Sequence, residues 1–313
     1  MSQSPLITRR TALAGAAALP FAAATTSPLL AGGHGGKAAA PIARSFQLGD
    51  MSVTTLLDGS ATREGPKALF AKDVSDDEFQ SLSDENFVPS DSVQFYFTPT
   101  LIDTGPELVL FDTGLGQGGI LKALAEAGVS PDAIDVVVIT HMHPDHIGGM
   151  MSDGKPTFPN ARYVTGSSEY NFWAAMDAGN RVGDLVAKNV TPLAEKMTFI
   201  EDGGSVASGV TAMAAFGHTP GHMTYMLESG GRQLVLTADL ANHYVWSFAR
   251  PDWAFSFDAD PAAATASRRK ILGMLAADKI PMIGYHMPFP AAGFVEPRQD
   301  GFRYVPVSYQ MMG

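Results

Sequence analysis

Cysteine is absent from all 313 residues, which excludes disulfides, thiolate metal sites and thiol nucleophiles together. Any metal held by this chain must therefore sit on imidazole and carboxylate. The same absence leaves the chain indifferent to the redox state of its compartment. Basic side chains are scarce as well. Lys plus Arg number 21 against 32 Asp plus Glu, for a net charge of −11, and no stretch concentrates positive charge among aromatics. A nucleic-acid partner, which needs such a footprint, is not expected. Hydrophobic residues at 45% and charged residues at 17% match ordinary globular usage, so the chain is expected to fold.

Acidic residues are missing altogether before Asp50. In that acid-free stretch, Thr8-Arg9-Arg10-Thr11 precedes an apolar, Ala-rich run over 12–24 that is short for a membrane span. A basic flank ahead of such a run reads as a twin-arginine export signal, with small residues near 22–24 and 38–40 resembling cleavage sites. Residues 1–40 are expected to be the leader and 41–313 one catalytic domain, periplasmic or secreted, with no stable membrane anchor. Removing the leader takes away Arg9, Arg10 and Lys37 and moves the formal charge from −11 to −14.

Past the leader, residues 46–48 and 53–57 flank Gly49-Asp50 as two strands around a tight turn would. Residues 61–92 lack a period and read as a loop or cap with a little helix. Strands are expected at 93–97, 100–102 and 108–111, laying down a first sheet, then a helix over 119–127 and a buried strand over 136–140. Beyond these, 167–178 reads as helix, while 210–215, 223–227 and 234–237 read as strands. Residues 261–277 read as a helix opened by proline. Strands in two runs, each closed by helices, argue for two sheets covered by helices.

The chemistry concentrates at His141-Met142-His143-Pro144-Asp145-His146, directly after the buried strand. Three imidazoles and a carboxylate so close together at a strand end need solvent or cations, and a divalent ion satisfies their lone pairs at once. The apolar approach and the Gly148-Gly149 exit imply a buried, sharply turned segment instead of a solvated loop. His218, Asp239 and His286 each follow an apolar run, where strand ends converge.

This order, H-x-H-x-D-H, then a His in Gly217-His218-Thr219-Pro220-Gly221-His222, then a lone Asp, then a late His, resembles the metallo-β-lactamase superfamily. The resemblance implies a four-layer αββα sandwich and two divalent metal ions, zinc first, with iron, manganese or cobalt also compatible. It places His141, His143 and His218 on one metal, Asp145, His146 and His286 on the other, and Asp239 between them. Asp112 resembles the carboxylate that orients the motif histidines, against its simpler reading as a turn residue. His222 is expected to support its loop by hydrogen bonding. His243 has two readings, substrate contact or structure.

Paired metals can bring the pKa of a shared water to roughly 7 and aim the hydroxide at an electrophile, so hydrolysis is expected, with Asp145 handling the proton. The longer run 139–149, Phe158-Pro159-Asn160-Ala161 and the closing 302–309 resemble methyl parathion hydrolase and related lactonases. That resemblance points to a small neutral ester, foremost a lactone of the acyl-homoserine type, with phosphotriester or aryl ester hydrolysis as the alternative. A β-lactamase or a non-catalytic metal-binding protein ranks lower. Trp173, His243, Tyr244 and Phe289 are candidate pocket residues, each aromatic competing with ordinary core packing. The stretch 240–244 departs from the hydrolase pattern by being polar and bulky. A homodimer is compatible with the aromatic C-terminal segment.

Overall fold

The computed structural model describes residues 40–307, so the leader expected over 1–40 falls almost wholly outside the described residues, as do Ser308 and Tyr309 of the closing segment. Two seven-stranded sheets make up its frame. The first runs in the order Ala43–Leu48, Met51–Leu56, Thr100–Asp103, Leu108–Phe111, Val136–Ile139, Arg162–Gly166, Met197–Ile200. Pairing is antiparallel as far as Leu108–Phe111 and parallel from there to the far edge. The second runs Ser205–Ala207, Val210–Ala214, Met223–Ser229, Arg232–Ala238, Met282–Gly284, Ala292–Arg298, Gly301–Pro306, with one parallel junction, between Arg232–Ala238 and Met282–Gly284.

Strand alternation explains the layering. In Val136–Ile139, Val136 and Val138 join the core shared with the second sheet, through Tyr225, Leu236 and Met282. Val137 and Ile139 turn the other way, against Ile120 and Leu124 of the helix Gly119–Glu126 and Val186 of the helix Arg181–Asn189. A strand covered on both faces must be apolar at every position, which is why this segment reads as an unbroken β-branched run. On the outer face of the second sheet, the helix Pro261–Asp278 packs through Ile271, Leu272 and Leu275. Asp260 caps it by accepting from the backbone N–H groups of Ala262 and Ala263, and Pro261 occupies its first turn. The layers are those of the expected αββα sandwich.

Three expectations need correction. Residues 61–92 are more ordered than a loop: they hold the strand Gly59–Glu64, the short helix Pro66–Phe70 and the helix Asp76–Glu85, whose N-cap Ser75 accepts from Glu78 N. The strand Ser92–Phe97 belongs to neither large sheet, pairing instead with Gly59–Glu64 as a separate ribbon. It leaves the sheet because its buried residues Val93, Phe95 and Phe97 pack with Phe70, Phe79, Trp246 and Phe255 in a third apolar cluster. The helix expected over 167–178 stops at Ala174, and a second helix, Arg181–Asn189, follows with Asn180 as its cap. Among the described residues no helix is long and apolar enough to cross a membrane.

Candidate metal centre

Two strand ends shape the site by leaving the ordinary backbone region. Asp112, just past Leu108–Phe111, has φ 61°, and Ala238, just before Asp239, has φ 45°. A left-handed conformation costs a non-glycine residue on the order of 1 kcal/mol or more, so the surrounding contacts must hold it in place. At Asp112 those contacts are visible. Its carboxylate accepts from Thr140 N (2.9 Å) and Thr140 Oγ1 (2.9 Å), and lies 2.9 Å from His146 Nδ1. The Gly148-Gly149 exit is equally constrained: a Cβ on Gly148 would stand 2.5 Å from the Leu115 carbonyl carbon, and one on Gly149 2.2 Å from the Thr113 oxygen.

From this frame the expected side chains converge. His141, His143, His218 and Asp239 form one group of potential ligand atoms within 4.8 Å of one another, and Asp145, His146 and His286 form a second. In the first, His143 Nδ1 lies 3.1 Å from His141 Nε2 and 3.0 Å from His218 Nε2. In the second, Asp145 Oδ2 is 3.5 Å from both His146 Nε2 and His286 Nε2. Asp239 faces both: Oδ2 is 3.3 Å from His218 Nε2 and 3.0 Å from His286 Nε2, while Oδ1 is 3.2 Å from His146 Nε2. Asp112 stands behind His146, outside both groups.

Three of the imidazoles that face the centre, those of His146, His218 and His286, are tied from behind through Nδ1. Besides the Asp112–His146 contact, Asp258 Oδ1 lies 3.0 Å from His218 Nδ1, and the Tyr96 carbonyl lies 2.9 Å from His286 Nδ1. A proton on each Nδ1 leaves the Nε2 lone pair directed inward, the state in which imidazole ligates a metal. Burial drives the His143 pKa down to about 3, helped by His218, and holds His141 well below the usual range, helped by His146. On His218 burial opposes the charge, but hydrogen bonding to Asp239 and Asp258 carries it up to about 9. Burial also opposes the charge on Asp145, whose pKa is nevertheless held down at about 2 by His146 and His286, so it is a carboxylate at neutral pH.

The donor set fits divalent cations. His146 Nε2 and Asp239 Oδ1 are buried without a hydrogen-bond partner among the described residues. Orphaned acceptors of this kind are rare and need an explanation, which a cation between them provides. Among the described residues no Lys or Arg side chain pairs with Asp145 or Asp239; their charged partners are histidines, and Asn242 Nδ2 donates to Asp239 Oδ2 (2.9 Å).

His222 and His243 are structural. His222 Nδ1 faces the Ala215 carbonyl at 3.1 Å and its Nε2 accepts from Asp239 N at 3.1 Å, while burial depresses its pKa to about 3. Of the two readings of His243, substrate contact or structure, its contacts fit the structural one: Nδ1 accepts from Val245 N and Trp246 N, and the buried ring stacks on Trp246 at 3.9 Å. It is consumed by its own turn. Trp173 does stand by the centre, its ring 6.1 Å from His143. Tyr244 is half-buried and lines, with Leu82, Arg250 and Pro288, a cleft of about 330 Å³ that contains none of the clustered ligands. Phe289 is half-buried and precedes a cis peptide bond to Pro290.

Sequence reasoning missed the other aromatic neighbours. Phe95 and Phe97 present their edges to His286 at 5.5 and 5.6 Å, Phe255 lies 6.2 Å from His218, and Tyr285 lies 3.9 Å from His146 with its hydroxyl donating to the Asp145 carbonyl. It also missed Glu169, Asp258 and Arg268, all buried and charged. Arg268 donates to Asp258 Oδ2 (3.1 Å) and to the Leu240 and Pro251 carbonyls.

Comparison with known proteins agrees with this geometry. Among curated proteins, an N-acyl homoserine lactonase of Bacillus cereus is 26% identical over 188 residues, spanning 55% of this chain and 70% of its own length. Among solved structures, AidC, described as a dizinc quorum-quenching lactonase in complex with a product, superposes with a TM-score of 0.79 at 29% identity, covering 86% of this chain and 99% of its own. AbOPH, described as a hydrolase in the beta lactamase superfamily, gives 0.79 at 25% identity, covering 87% and 99%. The family model for the metallo-beta-lactamase superfamily matches residues 98–283, more than half of the sequence and all of the cluster except His286. The chain therefore belongs to the metallo-beta-lactamase superfamily, as a hydrolase carrying a candidate metal-binding cluster of histidines and aspartates.

Proposed function

We propose that this protein is an exported two-metal hydrolase that opens lactones of the acyl-homoserine type. The observation that carries this reading is the single carboxylate, Asp239, facing two separate groups of ligand atoms within one buried cluster. His141, His143 and His218 would hold one divalent ion, zinc foremost, and Asp145, His146 and His286 the other, with Asp239 between. Such a pair supplies Lewis acidity for a carbonyl oxygen and a water made acidic enough to lose its proton near neutral pH.

The chain's own residues do the rest. Asp112, Asp258 and the Tyr96 carbonyl orient His146, His218 and His286 so that no side-chain reorganisation is needed when substrate arrives. Asp145 keeps 19% of its side chain exposed where Asp239 keeps 4% and is ionised at neutral pH, so it is the carboxylate able to pass a proton between the site and solvent. Trp173, Phe95, Phe97 and Phe255 give the cluster apolar walls, suited to a neutral substrate with an acyl chain. The lactonase neighbours support the same class of substrate. Export rests on the paired arginines and the apolar run that follows them.

The same aromatic walls favour a second reading, an aryl ester or aryl phosphotriester whose flat leaving group stacks on them. The deciding assay compares kcat/KM of the zinc-loaded protein on homoserine lactones of several acyl lengths, an aryl acetate, a phosphotriester and a β-lactam. Lactones ranking first supports the proposal. A phosphotriester or β-lactam ranking first replaces it, and a protein that binds metal but turns over none of the panel would be a binding protein.

A further inference from the structure

The two loops that carry His141, His143 and His218 come from different sheets, and one buried side chain stands between them. Glu169 is the third residue of the helix Ser167–Ala174, and it is completely buried. Its Oε1 accepts from Met142 N (2.8 Å), the backbone between His141 and His143, and from Trp173 Nε1 (2.7 Å). Its Oε2 accepts from Thr219 Oγ1 (2.7 Å), next to His218, and from Gly221 N (2.9 Å). The packing there leaves no slack: a Cβ on Gly221 would stand 2.1 Å from Glu169 N.

We propose that Glu169 is a positioning residue that sets the spacing of His141, His143 and His218 by joining the first-sheet loop to the second-sheet loop, while fixing the Trp173 indole beside His143. This rests on the two-metal reading above. Buried carboxylates are retained only where their lone pairs are satisfied, and here each oxygen takes two donors, the pair on Oε1 from one side of the sandwich and the pair on Oε2 from the other. Glu169 touches neither substrate nor cation; it acts through the loops.

The chemistry of the donors predicts an asymmetric failure. In Glu169→Gln one end must become an NH2 group. Met142 N–H and the indole N–H can only donate, whereas the Thr219 hydroxyl can rotate and accept, so the amide nitrogen will turn towards Thr219. That leaves Gly221 N–H facing another donor and displaces the loop that bears His218. Asp145, His146 and His286 share no hydrogen bond or ion pair with Glu169 among the described residues and keep their arrangement. A second inter-sheet hydrogen bond, Met223 N to Thr140 O at 3.1 Å, remains to hold the strands together.

The experiment titrates the purified, metal-stripped full chain and its variants with Zn2+ against a chromophoric chelator, records the Co2+ absorption spectrum, and measures melting without metal. The expected result for Glu169→Gln is an affinity loss of about 10- to 100-fold at one of two cations, the usual consequence of removing a group that orients ligands. The second cation stays at wild-type affinity and the Co2+ spectrum changes for one ion only. Thr219→Val, which deletes one donor and no charge, should show a smaller loss at the same cation, and it tests the idea even where the Gln variant does not fold. Trp173→Phe should leave both cations in place and raise KM. The proposal is overturned if Glu169→Gln and Thr219→Val both bind two cations as the wild type does, if they lose both cations equally, or if Trp173→Phe reproduces the one-cation loss. Wild-type protein that binds no cation would instead refute the metal reading on which the proposal stands.

Discussion

Asp258→Asn tests how far the cluster depends on a charge that stands outside both ligand groups, behind His218. Asp258 accepts from His218 Nδ1 and from Arg268 Nη2, and its side chain is fully buried, as is all but 1% of Arg268. Asparagine keeps the shape but removes the only acidic partner that a buried guanidinium has among the described residues. Breaking such a pair by neutralising one member costs about 3–5 kcal/mol, because the other charge stays behind in a medium that cannot solvate it. At roughly 2–4 °C per kcal/mol for a domain of this size, melting of the metal-free protein should fall by on the order of 10 °C. The amide must also choose a face. With its oxygen kept for Arg268, its NH2 group meets His218 Nδ1 and forces that nitrogen to accept, so the proton moves to Nε2 and the inward lone pair is lost. Zinc affinity should fall about 10- to 100-fold at one cation as well. The assay is a double-mutant cycle by denaturant melting with Arg268→Met, because removing both charges removes the stranded one. The double variant should be less destabilised than the sum of the singles. Additivity within about 0.5 kcal/mol, or a single-variant loss under about 1 kcal/mol, refutes the reasoning.

Alanine at His141 or at Asp239 should abolish turnover together with binding of at least one cation, read by metal analysis after dialysis; full activity in a metal-free variant would contradict the proposed chemistry. Zinc at a hundredfold excess over its Kd should stabilise the wild type by about 2.7 kcal/mol per site in a thermal shift assay, and a chelator should reverse the gain. His243, its pKa depressed to about 3 by burial from an unfolded value near 6.5, is neutral when folded. The unfolded chain therefore binds the extra proton between those values, so its stability contribution is complete above pH 6.5 and is lost as pH falls towards 3. His243→Phe should flatten the decline in denaturant-measured stability between pH 6.5 and about 4, and an unchanged slope would count against the assignment. Gly148→Ala, with a Cβ 2.5 Å from the Leu115 carbonyl carbon, should cost about 1–3 kcal/mol, and a melting temperature equal to wild type would show that the turn can yield.

The residues that announced the site were those whose neighbours in sequence are also neighbours in space. The run 141–146 sits on one tight turn, so its density of imidazole is visible directly, and His218, Asp239 and His286 stand out because each follows an apolar run. Asp258 and Glu169 gave no such signal. Asp258 meets His218 across 40 positions, and a lone glutamate in the first turn of a helix is what the helix dipole alone would favour. His243 left both readings open, since lying just past Asp239 suggests proximity to substrate while nothing in the sequence shows that its Nδ1 is spent on its own turn. The ribbon Ser92–Phe97 has the alternation of a sheet strand, but alternation specifies a buried face and not which layer buries it.

Asp239 reaches both groups of histidines from the second sheet, while His141, His143, Asp145 and His146 belong to the first. A cation held there would close the sandwich like a buckle along one rim, and that rim is where stripping the metal should let the layers part. Amide exchange should then quicken first in the turns beside Thr140, Thr219 and Leu240, well before Leu101 or Val235 deep in the strands gives up its protection.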